Sequence, residues 1–267
     1  MDNSLAVYMD GIDTAFTTKN KMFYGIVYKR KLQNGGFSMN KRKYKRNYEY
    51  VPHSFQLDVR HVSKTFKNEQ VLKDVSLTLQ SGKIYGFVGR NGSGKSVLFK
   101  IICGYLMADE GEVEVDGKVI GKDVDFPERL GALIESPGFL WYQSGYKNLS
   151  YLAKIQGRIK EEQVKEAIRL VGLNPDDRKW TGKYSLGMKQ RLGIAQAIME
   201  NPTLLVLDEP MNSLDEQGVE DMRKLFLNYK RDDRMILVTS HNKEDIETLC
   251  DEVFYLKSGE IIHREKI

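Results

Sequence analysis

An α/β fold built on a largely parallel sheet is predicted by three features of the sequence. Short continuous apolar runs, KIYGFVG (83–89), LLVLD (204–208) and MILVTS (235–240), alternate with stretches of helical periodicity. That is the pattern of βαβ units whose strands are covered on both faces. The first run passes straight into a glycine-rich turn and then a helix, whereas FQLDVRHV (55–62) and VLKDVSLTLQ (71–80) alternate apolar and polar residues up to the turn at Ser81 and Gly82. Period-two alternation marks half-exposed antiparallel strands, so a small antiparallel β layer is expected beside the parallel sheet.

Along the chain, residues 1–54 form a basic leader, and residues 55–267 form the folded domain. The first 53 residues hold ten of the 41 Lys/Arg and four of the 37 Asp/Glu, a net charge of +6, which leaves −2 for the remainder. The leader is read as disordered or loosely attached, or as a start assigned too early with Met39 as the true beginning. The alternative is contact with anionic lipid or nucleic acid through MFYGIVY (22–28) and the basic, tyrosine-rich NKRKYKRNYEY (40–50). After the phosphate-type turn, Val97, Leu98, Ile101, Ile102 and Tyr105 follow helical spacing. Ala132, Leu133 and Ile134 read as a short buried strand ending at Glu135 before a reversal at Pro137 and Gly138. Residues 146–171 are helical, with Val164, Ala167, Ile168 and Val171 on one face, and Gly172 and Pro175 end the pattern. Further helices are expected over about 186–200, stopped by Asn201 and Pro202, and around 219–229. No internal repeat is visible. No apolar run reaches the 18 residues of a membrane span, and the N-terminus carries no signal-type pattern, so a cytosolic protein is expected. Cys103 and Cys250 lack metal-ligand spacing and read as buried thiols.

The chemistry-bearing residues cluster at the ends of the predicted parallel strands, the edge at which open α/β sheets bind ligands. GRNGSGKS, comprising Gly89, Arg90, Asn91, Gly92, Ser93, Gly94, Lys95 and Ser96, fits GxxxxGKS and sits between a strand and a helix. Such a loop turns backbone N–H groups toward β- and γ-phosphates at a helix N-terminus. Lys95 is expected to reach those phosphates and Ser96 to ligate Mg²⁺. Asp208 ends the LLVLD strand with Glu209 beside it. The first acid suits Mg²⁺ and the second suits polarising an attacking water. His241 follows MILVTS, where an imidazole can contact the γ-phosphate or position water, although a lone strand-end histidine is more often structural. Glu135 would be costly at a buried strand end without a partner. The Mg²⁺ and water of this site are its expected partner, in preference to a distant lysine.

With YSLGMKQRLGIAQAI (184–198) the chain resembles the nucleotide-binding subunits of ATP-binding-cassette (ABC) transporters. The motifs run in the family's order, from GRNGSGKS through IESPG, YSLGM, LLVLDEP and NSLD to SH, over roughly residues 55–260. The resemblance implies a P-loop NTPase core with a parallel sheet, an antiparallel β layer and an inserted helical subdomain at about 140–190. It implies ATP and Mg²⁺ as cofactors and two cassettes dimerised head to tail, a homodimer being expected. Ser185 and Gly187 would then contact the γ-phosphate in the partner cassette, with Ser213, Leu214 and Asp215 linking the two sites. Phe66 holds the place of the aromatic that stacks on adenine, core packing being the alternative. Glu135 replaces the usual glutamine, while Leu186 and Met188 replace a glycine and a glutamine of the signature. These departures look most like exporters of the bacitracin and lantibiotic self-protection group.

That group implies a peripheral ATPase at the cytoplasmic face of the membrane. It would energise export of an antimicrobial peptide or similar amphiphile through a multi-spanning permease on another chain. FLWYQSGYKNL, with Phe139, Leu140, Trp141 and Tyr142 in succession, is read as the surface meeting that permease, a local aromatic core being the alternative. The competing class is a soluble ABC-type ATPase acting on ribosomes or nucleic acid. No nucleic-acid partner is expected, because the paired cassettes, coiled coils and zinc motifs usual in such proteins are absent from the sequence.

Overall fold

The computed structural model describes residues 51–135 and 138–267. The leader assigned to 1–54 therefore lies almost wholly outside the described residues, as do Ser136 and Pro137. In chain order the elements are β1 (Gln56–Phe66), β2 (Glu69–Gln80), β3 (Ile84–Val88), α1 (Lys95–Ile102), β4 (Glu110–Val115), β5 (Lys118–Val119), β6 (Leu130–Leu133), α2 (Gly145–Gln156) and α3 (Glu161–Leu170). A 3₁₀ turn (Thr181–Lys183) follows, then α4 (Leu186–Ile198), β7 (Leu204–Leu207), α5 (Glu216–Tyr229), β8 (Met235–Thr239), α6 (Lys243–Leu249), β9 (Glu252–Lys257) and β10 (Glu260–Lys266).

The continuous apolar runs form a six-stranded sheet in the order β10-β9-β3-β8-β7-β6, in which β10 alone runs antiparallel to its neighbour. Because successive strand residues face opposite ways, each run feeds two cores. Leu205, Leu207, Ile236 and Val238 pack on one face with α2 to α5. Leu204, Val206, Met235 and Leu237 pack on the other with α1 and the second sheet. That second sheet, β2-β1-β4-β5, is antiparallel throughout. Its alternating sequence follows from exposure of its far face: in β2 the pattern Val75, Leu77, Leu79 is buried while Ser76, Thr78 and Gln80 face outward.

Three features differ from the sequence reading. The helical stretch 146–171 is two helices, because Gly157 takes the left-handed conformation (φ 67°) that closes α2 and Lys160 opens α3. Strands β4, β5, β9 and β10 and helix α6 complete the fold without having been assigned. The segment 140–190 holds α2, α3, the 3₁₀ turn and the first residues of α4.

Candidate functional site

The loop after β3 reaches α1 through Gly94, whose φ of 105° only glycine adopts readily. A Cβ there would also lie 2.7 Å from Leu72 Cδ2 and 2.9 Å from the Val71 carbonyl, so the turn is packed against β2. Lys95 follows immediately. Its ammonium is buried and folds back over the loop, donating to the Gly89 carbonyl at 2.6 Å and the Arg90 carbonyl at 3.3 Å. Burial pushes the lysine below its ordinary pKa, with Glu209 and Asp208 pulling it back up. The loop thus holds a cation at a helix N-terminus, a ready receptor for phosphate oxygens.

At the end of β7, which β8 separates from β3 in the sheet, Asp208 accepts a hydrogen bond from Ser96 Oγ at 2.5 Å and one from Thr239 Oγ1 at 2.7 Å. The same Thr239 oxygen accepts the Glu209 N–H at 2.8 Å. Ends of three adjacent elements, α1, β7 and β8, are therefore joined through one carboxylate and one hydroxyl. Glu209 sits at φ 51°, a conformation costly for a residue with a Cβ and typical of a constrained functional position. Burial raises the Glu209 carboxyl above its ordinary pKa, Asp208 adds to that, and His241 and Lys95 oppose it. The His241 Nε2 lies 3.0 Å from Glu209 Oε1. The buried Glu209 Oε1 thus has the imidazole as an ion-pair partner but no hydrogen bond, and among the described residues the buried Ser93 Oγ in the loop has no hydrogen-bond partner.

A buried hydroxyl without a hydrogen bond in a phosphate-type loop is a polar group awaiting a ligand. The Ser96 hydroxyl and Asp208 carboxylate together form an all-oxygen pair of the kind that holds Mg²⁺ with water and substrate phosphates. The donor set fits the ion.

Glu135 behaves otherwise than expected. Its backbone is left-handed (φ 64°), its side chain is two-thirds exposed, and its Oε1 accepts from Lys100 Nζ of α1 at 2.5 Å. The prediction that it would face metal and water and not a lysine is corrected for this structure. A lysine one helix turn beyond Ser96 neutralises it from the solvent side. Phe66, at the end of β1, is 43% exposed and outside the core, with Lys64 Nζ 5.5 Å from its ring centroid. Lys64 is in turn held by Asp109 at 2.6 Å.

Ser185 and Gly187 line a different cavity, together with Ser213, Leu214 and Asp215, and none of residues 89–96 contributes to its walls. Ser185 caps α4 by accepting the Met188 N–H at 3.1 Å, Leu186 stands exposed, and a Cβ on Gly187 would lie 2.8 Å from the Ser213 carbonyl. Within α4, Gln190 donates to the carbonyls of Glu209 and Pro210, both at 3.0 Å. Arg191 donates to the Val171 carbonyl and lies 3.8 and 3.6 Å from Asp215 and Asp221. Thr239, Lys100, Gln190 and Arg191 were missed from sequence. Only Thr239, adjoining the SH pair at a strand end, carried a local signal.

Residues 72–212 match the family model described as ABC transporter. The chain is 38% identical over 211 residues to an uncharacterised ABC transporter ATP-binding protein, YybJ, of Bacillus subtilis, covering 79% of this chain and 97% of that one. It is 35% identical to the bacitracin transport ATP-binding protein BcrA of Enterococcus faecalis (82% and 70% covered). The lantibiotic transport ATP-binding protein SrtF of Streptococcus pyogenes shares 31% (77% and 89% covered). Among solved structures, the dimeric post-hydrolysis state of the ATP-binding cassette MJ0796 bound to ADP and Pi superposes with a TM-score of 0.71 at 23% identity, covering 79% of this chain and 98% of that one. At that identity the likeness concerns the fold.

Proposed function

Because this chain belongs to the ABC transporter family of ATP-binding cassettes, we propose that it is the ATP-hydrolysing subunit of an exporter whose membrane-spanning part is a separate chain. The observation that carries the reading is the continuous set of hydrogen bonds from Ser96 through Asp208 and Thr239 to Glu209, which ties the phosphate loop to a candidate base. Among the described residues no helix is long and apolar enough to cross a membrane, so the permease belongs to another chain in this reading.

Lys95 and the N–H groups of residues 89–94 bind the β- and γ-phosphates of ATP, the ammonium exchanging its loop carbonyls for phosphate oxygens. Ser96 and Asp208 hold Mg²⁺, which supplies charge neutralisation at the phosphates when bound. Glu209, made more basic by burial and Asp208 and held ionised by His241 and Lys95, orients the attacking water and takes its proton. His241 steadies that carboxylate and the γ-phosphate. Phe66 stacks on the adenine. Ser185 and Gly187 close the site of a second copy in a head-to-tail homodimer, and Ser213, Leu214 and Asp215 join the two sites. The basic leader 1–54 is proposed to lie outside the cassette, which spans 55–267 with its helical subdomain at about 140–190.

The transported compound is proposed to be an antimicrobial peptide or similar amphiphile, with the protein peripheral at the cytoplasmic face of the membrane. The similarity to the bacitracin transport protein BcrA and the lantibiotic transport protein SrtF and the Glu135, Leu186 and Met188 substitutions support this. For the permease contact, the aromatic run divides: Phe139 packs toward the core, whereas Trp141 is 62% exposed with edge-on contacts to Tyr142 at 5.5 Å and Trp180 at 6.3 Å. Trp141→Ala is expected to weaken permease association by about tenfold or more, the scale of an aromatic hot spot, with ATP hydrolysis by the free subunit unchanged. Co-purification of the variant with its permease in detergent reads this out, and undiminished recovery would refute the contact.

Glu135→Gln removes the charge that pairs with Lys100. It is expected to retain ATPase activity within about tenfold while altering substrate transported per ATP. Reconstituted vesicles measure both quantities, and equal stoichiometry in variant and parent would count against a coupling role. The whole reading is tested by affinity purification from detergent-solubilised membranes. A stoichiometric multi-spanning partner is expected, whereas recovery of ribosomes or nucleic acid would overturn it.

A further inference from the structure

We propose that Arg223, through Asp245 and Ser240, is a positioning residue for His241, so that helix α5 braces the histidine's loop from beneath. The inference rests on the reading of His241 and Glu209 as part of the hydrolytic site. Arg223 lies in the middle of α5 with its side chain 6% exposed. Its Nε and Nη2 both donate to Asp245 Oδ1, at 3.0 and 2.6 Å, and its Nη1 donates to Glu220 and Glu244 at 2.9 and 3.1 Å. Asp245, on α6, is 3% exposed, and its second oxygen, Oδ2, accepts from Ser240 Oγ at 2.8 Å. The Ser240 oxygen in turn accepts the Asn242 N–H at 3.0 Å.

Ser240 and Asn242 are the two neighbours of His241 in the chain. The backbone on both sides of the imidazole is thus tied to one buried carboxylate, and that carboxylate is gripped by a guanidinium from another helix. The imidazole itself is half exposed, with its Nε2 3.0 Å from Glu209 Oε1. Its reach is therefore set from below by the tether. A buried ion pair is a weak source of stability, since desolvation offsets its Coulombic attraction. What the rigid fork of Arg223 supplies is direction.

The other end of α5 gives the brace a purpose. Asp215 caps the helix by accepting the Gly218 N–H at 3.0 Å. Asp215 and Asp221 also face Arg191 on α4, the helix that begins at Ser185. One rigid element therefore joins the segment proposed to close a partner's site to the histidine of its own site. A shift at Asp215 is transmitted to His241 without passing through the phosphate loop.

Ser240→Ala cuts the tether while leaving the Arg223–Asp245 ion pair in place. In the full chain it is expected to lower kcat for ATP hydrolysis about tenfold, the scale of a sub-ångström to one-ångström misplacement of a catalytic group, with KM for ATP changed less than about twofold. Ser240→Thr, which keeps the hydroxyl, is expected to restore kcat to within about twofold of the parent. Arg223→Lys, which keeps the charge but not the fork, should fall between. Parent turnover in Ser240→Ala with loss of turnover in His241→Ala overturns the tether alone. Parent turnover in His241→Ala overturns the reading on which it rests. Failure of Ser240→Thr to rescue assigns Ser240 to packing and rejects the proposal.

Discussion

Replacing Glu209 by glutamine is expected to reduce kcat for ATP hydrolysis by about 10²–10⁴-fold, the contribution of a well-placed general base, with ATP affinity close to that of the parent. The swap keeps volume and removes the charge, so the backbone bond from Glu209 N–H to Thr239 and the support of its carbonyl by Gln190 both survive. Phosphate binding depends on Lys95 and the loop, neither of which is altered. What disappears is a carboxylate that burial and Asp208 make more basic than usual, and with it the means of accepting a proton from water. Phosphate-release kinetics and equilibrium nucleotide binding on the same preparation separate the two quantities. A fall in affinity matching the fall in kcat would mean that Glu209 binds nucleotide and does not activate water. Glu209→Gln is also expected to accumulate as an ATP-bound dimer, visible by size-exclusion chromatography in ATP and Mg²⁺.

Asp208→Asn is expected to be less damaging, and for a different reason. Both oxygens of Asp208 are engaged, one by Ser96 and the other by Thr239. The amide keeps one acceptor and presents a donor at the other position, so one of the two hydroxyls must turn from donating to accepting, and the amide carries no charge for the metal. Loss of a ligand of this kind costs about 10- to 100-fold in metal affinity or activity. The Mg²⁺ concentration for half-maximal turnover is expected to rise by about that factor, with part of the lost kcat recovered at high Mg²⁺. An unchanged Mg²⁺ titration would remove Asp208 from the metal site. Because Thr239 also holds Glu209, some loss of kcat should persist at saturating metal.

The parts of this arrangement legible in the sequence are those in which a local pattern fixes a side chain's place. Lys95 and Ser96 follow a glycine loop between strand and helix, and Asp208, Glu209 and His241 each end an apolar run, so all could be assigned to one sheet edge without knowing the strand order. The strand runs themselves were legible for the same reason: burial on both faces leaves them no polar positions. Lys100 was not legible as a partner for Glu135, because its pairing depends on how a strand-end loop, 35 residues later, lies against α1. Gln190 and Arg223 act at comparable distance in the chain, across helix faces that periodicity alone marks only as polar. The helical subdomain was read as one stretch because apolar spacing persists on both sides of Gly157, whose left-handed turn is a backbone event with no apolar signature. Strands β9 and β10 form a hairpin through Ser258 and Gly259, both at positive φ, a turn signal present in the sequence but not used.

Phe66 carries a consequence for which nucleotides the protein accepts. One face of the ring looks toward Lys64, whose ammonium is anchored by Asp109, so a base has the opposite face on which to lie. Stacking of this kind detects a flat aromatic surface and is indifferent to the exocyclic groups around its edge. A pocket that recognises its ligand by the triphosphate and merely cushions the base is a poor judge of purines. If Phe66 holds the base by stacking alone, as proposed, the choice of ATP over other purine nucleoside triphosphates would be set by supply.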